Sequence, residues 1–531
     1  MKRAMGLEFK GITASDGLFM GPVRKLSHAL KARVPTGDPV QEREALETAL
    51  AQSIAELGFL MGQVEGEAAD ILGFQVAMLE DDALSTPAMT AIGEGIAADA
   101  AWSQAMAVEI AGYEASENDY FRARAADLKD MRDRVLRRLS GENEAGAASG
   151  MVLMGDDIAP TKFLETDWSK GGAIALTSGS ATSHVAMLAR ARGVPMIVGI
   201  GDESILSASA VIVDGTRGIV IADPDDAAQS AFARDHTQQA ARHDVERKFL
   251  FEPAQRKDGS PVDILINIAG VEELDTIDVR SCDGIGLMRS EFLFRDGAPL
   301  PDEEQQYRAY RRFLGWAEGR PVTIRTLDIG GDKPVSGLTP SGESNPFLGL
   351  RGVRLTLARE DVFRTQLRAL ARAAVHGNLK VMIPMVTVPD ELSRSAALLD
   401  SCVAELEAQG IACARPPLGI MVEVPAVAVA PDLFREAAFF SIGSNDLTQY
   451  VTASSRDDAR VAALNDCGHP AVTRLIASVA QYGRDNTIPV SLCGDMASDA
   501  RHLKTLLDCG LTSLSVAPSR LARIKAALAE I

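Results

Sequence analysis

The chain has 531 residues, 46% of them hydrophobic, and a formal net charge of -19. At roughly 100–200 residues per domain, the length allows about three or four domains, or one large barrel with attachments. The acidic field argues against nonspecific binding to nucleic acid or to an anionic membrane surface, and it means that an anionic substrate needs a local arginine cluster.

Residues 7–26 read as short strands punctuated by Gly17, Gly21 and Pro22. From Pro39 to Leu139 apolar residues recur at helical spacing. Ala45, Ala49, Ile54, Leu57, Leu60 and Met61 suit one helix face; Tyr120, Arg124, Leu128, Met131, Val135 and Leu139 suit another. The stretch predicts a helical bundle of about 100 residues, interrupted near Pro87. Residues 141–149 read as a linker. Five strand-length runs follow, beginning at Met151, Ala173, Met196, Val211 and Gly218, with one helix over 185–191. These predict a compact α/β domain, and residues 225–250 a polar connecting helix.

Beyond Pro261 strands and helices alternate. Eight apolar runs, starting at Asp263, Gly284, Val322, Lys380, Gly419, Phe439, Val490 and Ser513, each precede a helical pattern. That alternation predicts a (β/α)8 TIM barrel, closed by a last helix with Ser519 as N-cap. Six scattered cysteines with no C-x-x-C pair read as reduced cytosolic thiols. With no run of about 20 apolar residues and no signal peptide, a soluble cytoplasmic protein is expected.

A barrel places chemistry at the C-terminal ends of its strands. There the sequence offers Asn267, Arg289, Arg325, Asp328, Glu423, Asn445, Asp446 and Cys493. Glu423 and Asp446 are a sparse oxygen set that suits Mg²⁺, which keeps waters and shares substrate oxygens; otherwise they are two acids opening loops in salt bridges. Arg289, Arg325, Arg351 and Arg456 are candidate clamps for a doubly anionic substrate, because the planar fork of Arg grips carboxylate and phosphate. Lys333 adds a point charge on a Gly-rich loop. Cys493 is either an inert buried thiol, a nucleophile or a general acid. In the α/β domain, small residues lead through Gly179-Ser-Ala-Thr-Ser to His184 at the start of an apolar helix. Backbone N–H groups there favour a phosphate, so His184 is either a phosphorylated histidine or a capping one. The other six histidines have no such setting.

Seven motifs then carry a resemblance over nearly the whole chain. They are Thr182-Ser-His184, Gly284-Ile-Gly-Leu-Met-Arg-Ser-Glu-Phe-Leu-Phe, Arg325-Thr-Leu-Asp-Ile-Gly-Gly-Asp-Lys, Asn345-Pro-Phe-Leu-Gly-Leu-Arg, Met421-Val-Glu-Val-Pro, Phe440-Ser-Ile-Gly-Ser-Asn-Asp-Leu-Thr-Gln-Tyr and Cys493-Gly-Asp-Met-Ala. In this order they resemble Enzyme I of the bacterial phosphotransferase system. The resemblance implies a swivelling α/β phosphohistidine domain over 1–30 and 141–225, a helical domain over 31–140 that docks the carrier protein HPr, a linker helix over 226–254 and a phosphoenolpyruvate-binding barrel over 255–531. It implies that His184 carries the phosphoryl group with Thr182 in support, and that Glu423 and Asp446 hold Mg²⁺. Arg289, Arg325, Lys333, Arg351, Asn445 and Arg456 would bind phosphoenolpyruvate, and Cys493 would protonate the enolate to pyruvate. It implies a homodimer through the barrels. The chain departs from the family pattern at Ser180, Ser444, Ser455 and Asp495, and it stops at Ile531, some tens of residues short of the usual end.

Competing readings each leave something idle. A dikinase needs an ATP-binding domain where this chain has helices. A lyase or aldolase leaves His184 unused. A degenerate signalling paralogue should have lost the His, the Cys or the acids. The nitrogen-regulatory branch carries an added N-terminal sensor domain that does not fit before residue 20, so the sugar-uptake branch is expected.

Overall fold

The computed structural model describes residues 6–26, 33–62, 67–115, 119–141, 149–181, 183–294, 299–331, 335, 337–340, 342–455 and 461–531. The chain forms two compact units, Met1–Gln239 and Ala240–Ile531.

The first unit is built on a mixed sheet. Its strands are β1 (Leu7–Lys10), β2 (Ile12–Ser15), β3 (Leu18–Lys25), β4 (Val152–Gly155), β5 (Ala173–Leu176), β6 (Met196–Val198), β7 (Ala210–Asp214) and β8 (Ile219–Ala222). Their order is β1-β8-β7-β3-β4-β5-β6-β2. The apolar runs are buried on both faces: Leu153, Ile174 and Val198 enter one core, and Val152, Ala173 and Ile197 another. β3 pairs antiparallel with β7 through its first half and parallel with β4 through its second. The long excursion between neighbouring β3 and β4 holds five helices: α1 (Pro39–Met61), α2 (Glu67–Glu80), α3 (Asp82–Gly93), α4 (Ala98–Glu114) and α5 (Asp119–Leu139).

These helices close on their own core, with Leu46, Leu57, Trp102, Met106, Leu128 and Met131 fully buried. The buried stripe of α1 runs through Leu46, Ala49, Leu50, Ser53 and Leu57, and Met61 is exposed rather than inward. The expected interruption at Pro87 is not there; Pro87 lies inside α3. The break falls at Asp81, whose side chain accepts from Ala83 N at 2.8 Å. A side-chain cap stops and restarts a helix cheaply, whereas Pro87 costs one backbone bond that the packed helix absorbs. Ala97 at the start of α4 has no side chain to cap with; the buried carboxylate of Glu42 takes that role and accepts from Ala98 N at 2.9 Å.

Polar ties fasten this layer to the sheet domain. Asp130 of α5 accepts from Thr161 Oγ1 at 2.7 Å on α6 (Pro160–Glu165) and from Gln75 Nε2 at 3.2 Å. Arg134 bridges Glu56 at 3.0 Å and Glu165 at 2.5 Å. Two more helices complete the region, α7 (His184–Arg192) and α8 (Asp226–Phe249), the latter where the polar connecting helix was expected.

The second unit contains a closed barrel of eight parallel strands. They are β9 (Asp263–Ile268), β10 (Ile285–Arg289), β11 (Val322–Arg325), β12 (Leu379–Ile383), β13 (Leu418–Val422), β14 (Phe440–Ile442), β15 (Val490–Cys493) and β16 (Ser513–Val516). Each of the eight predicted runs is a strand. The exception to the pattern follows β9, where two 3-10 turns, Glu272–Thr276 and Val279–Ser281, stand in place of a long helix. Ser519 does not cap the last helix. It sits in a 3-10 turn opened by Pro518, and Leu521–Leu528 follows with Arg520 at the cap position.

Candidate active site

Strand geometry gathers the predicted residues. Arg289, Arg325 and Cys493 are the last residues of β10, β11 and β15, and Glu423 directly follows β13. Asn445 and Asp446 lie in the first turn of the helix Ser444–Thr452, and Arg351 comes from the long segment after β11. All seven line one cavity, together with Leu287, Asp328, Met421, Gly443 and Gly494.

One side of the cavity is a lattice of buried charge. Arg325 pairs with Glu291 at 2.5 Å and with Asp328 at 3.0 Å. Asp328 also takes Arg351 at 3.0 Å, and Arg351 reaches Asp446 at 3.4 Å. Burial opposes the charge on both arginines, yet the carboxylates around them hold them protonated above their ordinary value. Removing one member of such a buried set leaves its partner uncompensated, at about 3–5 kcal/mol. Glu423 is 1% exposed and accepts from Met385 N at 2.7 Å. That bond needs the backbone turned at Met385, φ 57°, beside Gly352, φ 58°, where a Cβ would meet the Met385 Cβ at 2.8 Å.

Burial, and then the charges of Asp446 and Asp328, push the Glu423 carboxyl well above the usual carboxylate range. Among the described residues, Arg289, Arg325 and Arg351 share the cavity wall with the acids Asp328, Glu423 and Asp446. A divalent cation on Glu423 and Asp446 would offset the mutual repulsion that helps raise the Glu423 carboxyl. Among the described residues no group of three metal-ligating side chains converges. Two carboxylates leave most coordination positions to water or substrate oxygen, the arrangement that suits Mg²⁺.

The other side is apolar. Cys493, 2% exposed, packs with Leu287, Met382, Met421 and Phe439. Burial raises its thiol above the ordinary value, against a hydrogen bond from Ser441 and the positive charge of Arg325. Asn445 is fixed by a two-way exchange with Asp495: its Nδ2 donates to Oδ2 at 3.0 Å and its Oδ1 accepts from the Asp495 amide at 2.9 Å. Gly494 permits this closeness, since a Cβ there would come within 2.1 Å of Ser444 Oγ.

In the first unit His184 is the first residue of α7, and Ser183 caps it by accepting from Ala186 N at 3.2 Å. Asp156 accepts from Thr177 Oγ1 at 3.1 Å and Ser178 Oγ at 2.6 Å. Arg190 donates to the carbonyls of Ala14 at 2.7 Å and Ala181 at 2.9 Å, tying α7 to its own approach loop. The side chain of His184 and the whole of Thr182, Lys333 and Arg456 lie outside the described residues.

Asn267, a strand-end candidate, does not reach the cavity; its amide exchanges hydrogen bonds with Ser515 on the adjoining strand. Sequence reasoning missed Glu291 and Ser441. Glu291 lies inside a quoted motif, two residues past Arg289, and that was the available signal. Ser441 likewise lies inside a quoted motif, directly after Phe440, though in mid-strand rather than at a strand end.

Three models of phosphoenolpyruvate-utilising enzymes match in succession: the N-terminal domain over residues 10–124, the mobile domain over 147–218 and the phosphoenolpyruvate-binding domain over 243–531. The chain is 35% identical to the phosphoenolpyruvate-protein phosphotransferase of Priestia megaterium, over 99% of its own length and 94% of that protein. It is 37% identical to the protein of the same name from Haloferax volcanii, over 88% and 83%. It is also 37% identical to a multiphosphoryl transfer protein of Xanthomonas campestris, over 98% of this chain and 63% of that one.

Proposed function

The chain belongs to the phosphoenolpyruvate-protein phosphotransferase family, and we propose that it moves the phosphoryl group of phosphoenolpyruvate to His184 and then to a histidine of an HPr-like carrier, releasing pyruvate. The observation that carries this reading is the two-sided cavity. Its charged wall suits the phosphate and carboxylate, and its apolar wall suits the methylene carbon beside Cys493.

Arg289, Arg325 and Arg351 bind and orient the two anionic groups, with Lys333 and Arg456 as further clamps and Asn445 held rigid by Asp495. Glu423 and Asp446 would hold Mg²⁺, which would supply neutralisation of negative charge on the substrate. The P–O bond to the enol oxygen breaks and an N–P bond to the His184 imidazole forms, with Thr182 in support. The enolate left behind takes a proton at its methylene carbon from the Cys493 thiol, and the thiolate recovers a proton from water. Positioning and charge neutralisation account for most of the rate in such transfers.

The helical layer is the docking surface for the carrier, sugar uptake is the process served, the working form is a homodimer through the barrel, and the compartment is the cytoplasm. The test is incubation of the full chain with phosphoenolpyruvate and Mg²⁺, followed by intact mass and pyruvate release. One acid-labile, alkali-stable phosphoryl group per chain is expected. A chain that stays unmodified and releases no pyruvate overturns the reading.

A further inference from the structure

Ser441 stands in the middle of β14, a position where a sheet favours an apolar or β-branched residue. It is 1% exposed. A buried hydroxyl requires a partner, and its hydroxyl donates to Cys493 Sγ at 3.2 Å. The register explains the meeting. Ser441 pairs with Ser491 on β15, and Cys493, two residues further, points to the same face.

We propose that Ser441 is a positioning residue for Cys493: its hydroxyl hydrogen occupies the inner side of the sulfur and leaves the thiol hydrogen directed into the cavity. The inference rests on the reading of Cys493 as the proton donor. Two atoms at this separation share one hydrogen between them. With Ser441 as donor, the S–H is free to face the substrate carbon. With Cys493 as donor, the hydrogen would point back toward β14 and away from the reaction. Leu287, Met382, Met421 and Phe439 around the sulfur offer no competing oxygen acceptor.

The hydrogen bond also changes strength during the step. The S–H bond breaks, a C–H bond forms at the enolate methylene carbon, and the electron pair stays on sulfur. The Ser441 hydroxyl then donates to a full negative charge, and such a bond is shorter and roughly twice as strong. An interaction that strengthens along the reaction raises turnover rather than substrate affinity. The other charges acting on the thiol come from Arg325 on β11, Arg289 on β10 and Glu423 after β13.

The test compares Ser441→Ala, Ser441→Thr and Ser441→Val in the full chain. Ser441→Ala should lower kcat by roughly 10–100-fold, the range for a hydrogen bond to a charged group, with KM for phosphoenolpyruvate within about twofold. The pH midpoint for iodoacetamide labelling of the Cys493 peptide should move up by about one unit. Ser441→Thr should restore both, and Ser441→Val should not. Thr and Val have the same shape, so that pair carries the test if Ser441→Ala folds poorly. Unchanged kcat and labelling midpoint in Ser441→Ala, or a Val variant equal to Thr, overturns the proposal. Cys493→Ala is measured alongside. If it releases pyruvate at the wild-type rate, the reading of Cys493 itself fails. If it is slow while the Ser441 variants are silent, only the role of Ser441 fails.

Discussion

At the barrel mouth, Arg325 and Arg351 are interleaved with the carboxylates of Glu291, Asp328 and Asp446, most of them buried, and backbone is turned into positive φ at Met385 and Gly352 to aim Glu423. At the start of α7 the described polar contacts are of another kind. Ser183 caps a helix, Asp156 holds two hydroxyls, and Arg190 holds two carbonyls. The first arrangement suits gripping a small, multiply charged substrate and stabilising charge as it moves. On the proposed reading, the second orders the approach to an imidazole that accepts a phosphoryl group and then passes it on.

The largest effect expected of this contrast is at the carrier. His184→Ala should abolish covalent labelling by phosphoenolpyruvate while leaving the barrel able to bind it, and labelled His184→Ala protein in a mass spectrum would refute the assignment. At the barrel mouth, Asp446→Asn should lose most activity and require far more Mg²⁺ to recover any, because it removes a proposed cation ligand and a partner of Arg351 together. Normal turnover of that variant in chelator would mean that the charged wall works without a metal. Cys493→Ala should keep substrate affinity and slow pyruvate release by about 10²–10⁴-fold, the range for loss of a general acid. Rapid-quench measurement of pyruvate against phosphohistidine separates that step from phosphoryl transfer.

The barrel was legible because its buried parallel strands are short continuous apolar runs bounded by turns. Reading their ends then found seven of the residues that line the cavity. What sequence could not give was contact across strands. Asn267 sits at a strand end like Arg289, yet Ser515 on the next strand absorbs its amide. Glu291 and Ser441 matter through the residues they touch, Arg325 and Cys493, and those contacts exist only in the closed barrel. The break at Asp81 instead of Pro87 has the same origin, since local cap chemistry and tertiary packing together outweighed a propensity.

Buried charge also occurs in the helical layer, and the smallest predicted effect asks whether it belongs to packing rather than chemistry. Asp127 of α5 is fully buried, with Oδ2 at 3.1 Å from Arg124 and Oδ1 without a hydrogen-bond partner among the described residues. Burial pushes its carboxyl up to about 6; the attraction of Arg124 opposes this, and Asp130 adds to it. A carboxyl raised on folding holds its proton in the native state where the unfolded chain has lost it. The ionised form therefore costs stability above about pH 6, and the cost fades as pH falls through 6 toward the unfolded value of about 4. The shift bounds the cost at about 2–3 kcal/mol. Asn resembles the protonated acid in shape and charge. Asp127→Asn should therefore be at least as stable as wild type at about pH 8, and the wild type should gain on it by roughly 1–3 degrees of melting temperature at about pH 5.5. Phosphoryl transfer should be unchanged throughout. A melting difference that stays constant over this range would show that Asp127 does not titrate there, and a loss of transfer in Asp127→Asn would move this buried charge from packing into the chemistry.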